Sequence, residues 1–187
     1  AAIRHRAETD EYHLAVPKGV ADAAYCLQWL GGGAVRYAEP DWIVFNTAAP
    51  NDPQFAQQWH HVNIESAQAW DVTTGSPSVV VAIVDTGCEL NHPDLESGYV
   101  PGVRFVDTAY PQATGGDVSP TGSHGTMCAG TAAARGNNGV GVAGVGWALS
   151  IMPVRCTDQG STAQLSDITG GALWAAQHGA KAVSCSW

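Results

Sequence analysis

The chain is poor in basic side chains. Its 187 residues include 8 Lys and Arg against 17 Asp and Glu, and the formal net charge is −9 at pH 7. A protein that binds the backbone of a nucleic acid needs a basic face to replace counterions at the phosphates, so we expect no nucleic-acid partner. No apolar run approaches the roughly 18 residues of a membrane-spanning helix, so we expect no membrane partner either.

Paired cysteine motifs are also missing. The sequence has five cysteines, and no two of them form a C-x-x-C pair. An odd number without such a pair gives little support to a zinc finger, a dithiol redox site or a disulfide framework. Most of these cysteines lie in apolar segments, where a thiol packs as a small hydrophobic side chain.

Residues 1–48 form a short first segment. Their patterns predict a strand at 11–17 (EYHLAVP), a helix at 20–30 (VADAAYCLQWL) and a second strand at 34–45 (AVRYAEPDWIVF). This small β-α-β segment is followed by a polar, Pro-rich linker at 46–54.

Residues 49–187 have the pattern of an α/β domain. The run VVVAIV at 79–84 has no alternation, which is typical of a strand buried on both faces of a parallel sheet. Further strands are predicted at 151–155 and 181–187, and helices at 123–134 and from Ser166 to the stop at Gly179, with Ser166 as the N-cap and Asp167 in the first turn. Alternating strands and helices predict an α/β fold with a parallel sheet.

Asp85 follows the buried run and precedes Thr86 and Gly87. Functional groups collect at the carboxyl ends of strands in α/β sheets, although an isolated D-T-G can also do no more than cap a turn. An aspartic protease would need a second D-T-G, and the sequence has none.

His124 stands at the start of a predicted helix in GSHGTMCAGTAAA, residues 122–134. The small residues Gly125, Ala129 and Gly130 would let this helix approach another element closely. A buried carboxylate can hold an imidazole in one tautomer while the second ring nitrogen acts as a base. Asp85 and His124 are therefore candidate partners in catalysis.

The motifs VVVAIVDTG, NHPDL, SHGTMCAGT and NNGVGVAGV, in this order, resemble the subtilisin-like serine proteases, and thermitase-like members most closely. The resemblance implies a three-layer, parallel-sheet subtilisin-like fold, of which this chain covers the N-terminal half. It implies that Asp85 and His124 are two members of a Ser-His-Asp triad. Met127 stands where the family often has a second His, which we expect to change the packing and not the chemistry.

The resemblance also implies a structural Ca²⁺ site. The ligands would be the side chains of Asp52, Asp94 and Asn138 and the carbonyl groups of Val140 and Val142, and a hard cation prefers such oxygens. The alternative is a Gly-Asn turn at 135–142 that binds no metal.

The resemblance further implies two walls for an extended polypeptide substrate. One wall is an edge strand that contains Gly160, Ser161 and Thr162, and the other begins at Ser186 and Trp187. Such a peptide is held by main-chain hydrogen bonds, with side-chain pockets for specificity. Ala163 and Trp187 are larger than the usual family residues and could narrow these pockets.

Residues 1–48 resemble the end of a subtilase pro-region, which assists folding and blocks the active site. Processing is expected near 46–51, and the alternative is a plain N-terminal extension. Secretion is expected from the habit of the family.

The family's Ser motif, G-T-S-M-A-x-P, does not occur in the sequence. A triad without its nucleophile should not hydrolyse peptides, so we expect this chain alone to be inactive. The expected partner is a Ser-bearing C-terminal half, either a separate or nicked chain or a part missing by truncation. The alternative is a pseudoprotease that serves as a peptide-binding module.

Overall fold

The computed structural model describes residues 2–7, 10–33, 35–40, 49–106, 115–160 and 162–187. The chain divides into two compact units, Ala1–Asn46 and Thr47–Trp187.

The first unit contains a two-stranded antiparallel sheet and one helix. Strand β1 (Ala2–Arg6) pairs with strand β2 (Glu11–Leu14), and helix α1 (Asp22–Gly31) follows. The predicted strand and helix correspond to β2 and α1. The side chain of Tyr37 donates a hydrogen bond to Glu11 at 2.7 Å, which ties the segment after α1 to β2.

The predicted β-α-β order of this unit is wrong for the described residues. Residues 35–40 form no strand, and residues 41–45 of the predicted strand lie outside the described residues. Strand β2 pairs instead with the antiparallel strand β1, and Asp10, just before β2, adopts a left-handed φ of 53°. The described sheet therefore forms from a hairpin and not across the helix.

The second unit is built on a four-stranded sheet in which every neighbouring pair is parallel, as predicted. The strand order is β4-β5-β3-β6, with β3 (Val80–Asp85), β4 (Val103–Arg104), β5 (Ser150–Arg155) and β6 (Ala182–Ser184). Strand β6 is shorter than the predicted 181–187 because it pairs with only three residues of β3. Residues 185–187 extend beyond this pairing.

Successive side chains of β3 enter two different cores, which explains the unbroken apolar run. Val81 and Ile83 pack on one face of the sheet, with Ala129 and Ala133. Ala82 and Val84 pack on the other face, together with a second set of buried residues, Phe105, Met152, Val154, Cys156 and Ala175. Because both faces of the sheet are covered, the unit has the three layers that were predicted.

In the described part of this unit, four α-helices flank the sheet or precede it: α2 (His60–Asn63), α3 (Ser66–Val72), α4 (His124–Ala133) and α5 (Leu165–Gln177). Helix α4 matches the predicted helix closely. The N-cap of helix α5 is Gln164, two residues before the predicted Ser166, which lies in the first turn. Asp167 lies in that turn as predicted, and Gly179, with a φ of 103°, follows the end of the helix. No helix in the described part of the chain has the length and apolarity that a bilayer span requires.

Candidate active site

Asp85 is the last residue of β3, and its side chain is 1% exposed. The parallel ladder continues here, since the backbone N–H of Cys156 donates to the Asp85 carbonyl at 2.8 Å. The next backbone N–H, that of Thr86, donates to the carboxylate Oδ1 at 2.7 Å. The sheet therefore places a buried carboxylate at its carboxyl edge and fixes one of its two oxygens.

His124 is the first residue of α4 and faces this carboxylate. Its Nδ1 lies 2.9 Å from Oδ1 and 3.0 Å from Oδ2 of Asp85. Because an ionised carboxylate only accepts hydrogen bonds, Nδ1 must carry the proton, and Nε2 of the neutral ring is then the acceptor. The imidazole is 46% exposed, so a group outside this pair can reach it.

A glycine and a threonine set the separation of α4 from β3. A Cβ atom at Gly125 would lie 2.3 Å from the carbonyl oxygen of Gly87 and 3.1 Å from Asp85 Oδ1. The Gly125 N–H donates to Thr86 Oγ1 at 3.0 Å, and that hydroxyl donates to the Gly122 carbonyl at 3.0 Å. The predicted close approach is confirmed at Gly125 and at Ala129, which is fully buried. It is wrong for Gly130, where a Cβ would meet no atom within 4 Å.

Four thiols, those of Cys88, Cys128, Cys156 and Cys185, interact electrostatically with Asp85, and burial raises the pKa of each. Cys128, one turn after His124, places its Sγ 3.8 Å from Nδ1 and 3.9 Å from Nε2 of the ring. Burial raises the pKa of Cys128, and a hydrogen bond from Ser186 opposes that change. Burial also raises the pKa of Cys88 and of Cys156 to about 12. These thiols are therefore protonated at neutral pH.

Thr121 links the Asp85 loop to the segment that was predicted to bind substrate. Its hydroxyl lies within hydrogen-bonding distance of the Thr86 carbonyl, the Gly160 carbonyl and the hydroxyl of Thr157. Sequence reasoning missed this residue, since its partners lie 35 to 39 positions away along the chain and no motif marks it.

The predicted substrate walls are placed only in part. Gly160 is exposed with a left-handed φ of 66°, and Ser161 lies outside the described residues. Thr162 lines a cavity of about 290 Å³ with Val106, Cys156, Asp158, Gln159, Ala163, Gln164 and Asp167. On the other side, the Ser186 hydroxyl lies 3.2 Å from that of Ser184, and Trp187 is half-exposed.

None of the described wall residues belongs to a strand of the sheet, and their part in substrate binding stays a prediction. Among the described residues, no neighbouring strand pairs with them.

The residues predicted to bind Ca²⁺ come together in the second unit. The carboxylate of Asp52 accepts the backbone N–H of Asn137 at 2.7 Å and that of Asn138 at 3.3 Å. The Asn138 amide donates to Asp94 Oδ1 at 2.9 Å, and the Val142 N–H donates to Asp94 Oδ2 at 2.9 Å. A loop is therefore fixed between two acids that are far apart in sequence.

The donor set fits a hard cation. Asp52 is 5% exposed and Asp94 is 1% exposed, and neither forms an ion pair with a Lys or Arg in the part of the chain that is described. The carbonyl oxygens of Val140 and Val142 accept no hydrogen bond from the described residues. Two buried carboxylates and two available carbonyl groups are oxygens of the kind that Ca²⁺ prefers. The Asn138 amide oxygen accepts the Val140 N–H at 2.8 Å, so it would have to be shared with an ion.

Comparisons with known proteins assign the chain to a protein family. Residues 76–187 match the Subtilase family. The thermophilic serine proteinase of Bacillus sp. (strain AK1) is 39% identical over 154 residues, which cover 81% of this chain and 37% of that proteinase. Thermitase of Thermoactinomyces vulgaris is 42% identical over 139 residues, which cover 73% of this chain and 47% of thermitase.

A solved protease structure from Pseudoalteromonas arctica PAMC 21717 superposes with a TM-score of 0.62 at 32% identity. The match covers 74% of this chain and 53% of that one. Two further relatives are named as an extracellular basic protease, from Dichelobacter nodosus, and a calcium-dependent protease, from Nostoc sp., at 35% and 34% identity. This chain spans about half or less of the length of its relatives. It belongs to the subtilase family of subtilisin-like serine proteases and is similar to thermitase within that family.

Proposed function

We propose that this chain supplies the acid and the base of a subtilisin-type serine endopeptidase. The observation that carries the proposal is the contact of His124 Nδ1 with both oxygens of Asp85, at 2.9 and 3.0 Å, where the carboxylate is 1% exposed. A buried carboxylate on one ring nitrogen leaves the other nitrogen available to take a proton. Family membership supplies the reaction, which is the hydrolysis of peptide bonds.

In this proposal His124 acts first as a base and then as an acid. Its Nε2 takes the proton of a seryl hydroxyl as the seryl oxygen attacks the scissile carbonyl, and it returns that proton to the leaving amine. Asp85 holds the ring in orientation and stabilises the imidazolium that forms between these two steps.

The nucleophile is proposed to come from a Ser-bearing C-terminal half. The support is the partial coverage of two relatives. The match covers only 37% of the thermophilic serine proteinase and 47% of thermitase, so most of the length of each has no counterpart here. The polypeptide substrate is proposed to lie between Gly160–Thr162 on one side and Ser186–Trp187 on the other, as an added strand.

A fluorophosphonate probe tests the proposal on the protein with its Ser-bearing half present. We expect the half that carries the Ser to be labelled, and we expect Asp85→Asn to slow labelling about 10⁴-fold because the ring loses its fixed tautomer. Asp71→Asn, on the exposed face of α3, is the matched control and should leave the labelling rate unchanged. If no polypeptide is labelled in the intact preparation, the chain is a peptide-binding pseudoprotease and the proposal is wrong.

We also propose that Asp52, Asp94, Asn138 and the carbonyl groups of Val140 and Val142 hold a structural Ca²⁺. The support is the oxygen-rich donor set described above and the name of the Nostoc relative, a calcium-dependent protease. When bound, the ion supplies charge that offsets two buried carboxylates. It has no part in the proton transfers at His124.

Finally, we propose that the first unit is a pro-region that is processed near 46–51 and that the protein is secreted. The support is the compactness of Ala1–Asn46 as a separate unit and the extracellular relative from Dichelobacter nodosus. N-terminal sequencing of the protein from culture medium tests both points, since a mature N-terminus outside 46–51 would contradict the processing site.

A further inference from the structure

We propose that Thr121 is a positioning residue, which holds the Gly160 end of the predicted substrate wall in place against the proposed acid and base. Its backbone N–H donates to the Thr86 carbonyl at 2.8 Å, and its Oγ1 lies 2.9 Å from the Gly160 carbonyl. Thr121 is thus bonded both to the neighbour of Asp85 and to the wall. This inference rests on the proposed function, since it concerns how that site would bind an extended polypeptide.

The donors and acceptors of the contact can be assigned. A threonine hydroxyl has one proton and two lone pairs, whereas a carbonyl oxygen only accepts. The hydroxyl of Thr121 is 3.2 Å from the Thr86 carbonyl, which already accepts the Thr121 N–H, and only 2.9 Å from the Gly160 carbonyl. The hydroxyl proton therefore goes to Gly160. The hydroxyl of Thr157, a fully buried residue, then donates to Thr121 Oγ1.

Packing contributes little to the position of Gly160. The residue is exposed, and a Cβ atom there would meet no atom within 4 Å. Its left-handed φ of 66° belongs to a turn, which no strand ladder supports in the described chain. A segment with few buried contacts depends on the hydrogen bonds that it does form. The bond from Thr121 therefore sets where the Gly160 carbonyl lies.

Arg155 holds the same two segments together a little earlier along each. Its Nε donates to the Thr157 carbonyl at 2.9 Å, and its Nη1 lies within hydrogen-bonding distance of the Ser119 carbonyl, at 3.3 Å. Each of these carbonyl groups lies just before one member of the Thr121–Gly160 contact. The guanidinium thus brings the segments side by side, and the Thr121 hydroxyl fixes the remaining step to the wall.

The consequence is an effect on substrate binding that depends on substrate length. A peptide bound as an added strand forms hydrogen bonds with the main chain of the wall. If the wall moves away from the catalytic pair, a long peptide loses part of this binding, whereas a substrate too short to reach the wall loses nothing. An interaction that is equally strong in the ground state and the transition state changes KM and leaves kcat unchanged.

Thr121→Val tests this role in the protein with its Ser-bearing half present, because valine keeps the shape of threonine and has no hydroxyl. We expect KM for an extended peptide to rise about 2- to 12-fold, which is the value of one hydrogen bond, with kcat unchanged. The kcat/KM for a single-residue ester should stay the same. Thr121→Ser keeps a hydroxyl and should restore KM.

Thr131→Val is the matched control. The Thr131 side chain is exposed on α4, and its hydroxyl donates to the Met127 carbonyl one turn earlier in the same helix. We expect this variant to leave the kinetics of both the peptide and the ester unchanged.

A second variant covers the case in which Thr121→Val does not fold. Valine at this position leaves the buried Thr157 hydroxyl without its acceptor, and an unpaired buried hydroxyl is destabilising. Thr121→Val combined with Thr157→Val removes both hydroxyls and leaves neither unpaired. The double variant should show the same rise in KM for the peptide and not for the ester.

Fluorophosphonate labelling separates this inference from the proposed function. The labelling rate should be the same in Thr121→Val as in the unaltered protein, because the probe does not reach the wall. A KM for the peptide that does not change, or a loss of kcat/KM that is equal for peptide and ester, would overturn the role of Thr121 and leave the protease proposal intact. If no polypeptide is labelled in the unaltered protein, both proposals are wrong.

Discussion

At the scale of single residues, the candidate site depends on a small residue, Gly125, as much as on its ionisable side chains. Gly125 follows His124 directly, and the missing Cβ allows α4 to lie against the Gly87 carbonyl and the Asp85 side chain. Since His124 is the first residue of that helix, the helix position decides the distance from Nδ1 to the carboxylate.

Gly125→Ala should therefore destabilise the second unit and separate the pair. A Cβ 2.3 Å from backbone has no flexible neighbour to displace, so we expect a loss of about 1–3 kcal/mol in the free energy of unfolding. Gly130→Ala on the same helix is the matched control, because its Cβ meets no atom within 4 Å and alanine favours the helix by about 0.4–1 kcal/mol. Urea unfolding measures both, and equal effects at the two positions would contradict this account.

At the scale of elements, α2 is anchored through a buried histidine. The ring of His61 is hydrogen-bonded through Nδ1 to Ser66 Oγ at 2.8 Å and through Nε2 to the Ala143 carbonyl at 3.0 Å. It also packs against Phe55 and Trp70, with ring centres 5.5 and 4.9 Å away. This contact joins the start of the second unit to the segment just after the proposed Ca²⁺ loop.

Burial lowers the pKa of His61 below its ordinary value of about 6.5. The unfolded chain then takes up a proton as the pH falls below about 6.5, whereas the folded chain takes it up only at lower pH. The contribution of His61 to stability is therefore complete above about pH 6.5 and declines below it. The decline is at most about 1.4 kcal/mol per pH unit for one proton.

His61→Gln should flatten this acid decline, since the glutamine amide can still donate to the Ala143 carbonyl in place of Nε2 and has no proton to gain. His178→Gln is the control, because that ring is exposed on the end of α5. Urea unfolding at pH 7.5 and 5.5 measures how steeply the free energy of unfolding falls with pH in each variant. A slope in His61→Gln as steep as that of the unaltered chain would show that another group causes the acid loss.

At the scale of the whole unit, three distant stretches of chain meet at the proposed Ca²⁺ site. Asp52 stands near the beginning of the unit, Asp94 follows β3, and the loop at 135–142 follows α4. These acids are paired only with N–H donors in the described chain, so their mutual repulsion is offset only in part.

Removing calcium with a chelator should therefore lower the melting temperature of the chain. An ion at 100 times its Kd contributes about 2.7 kcal/mol to the free energy of unfolding. Asp94→Asn should abolish the response to Ca²⁺, while Asp158→Asn, which lies outside this site, should retain it. A melting temperature that chelator does not change would contradict the proposed site.

The features of this molecule that depend on residues adjacent in the chain could be predicted from the sequence. The unbroken run before Asp85 predicts a strand buried on both faces, because alternate side chains of a strand point to opposite faces. The D-T-G and H-G-T motifs, through their resemblance to the family, predict Asp85 as the acid and His124 as the base. Both signals depend on residues close together in the chain.

Only the tertiary structure decided what depends on contacts between distant segments. The partner of β2 is an upstream strand, and β6 ends after three residues, since pairing requires a neighbour that local pattern does not specify. The bridge from Thr121 to Gly160 and the contact of His124 with Asp85 arise in the same way. The sequence by itself determined which chemical groups are present and which elements carry them. Their distances were decided by the packing of α4 on β3, because a contact between two elements depends on the shape of both.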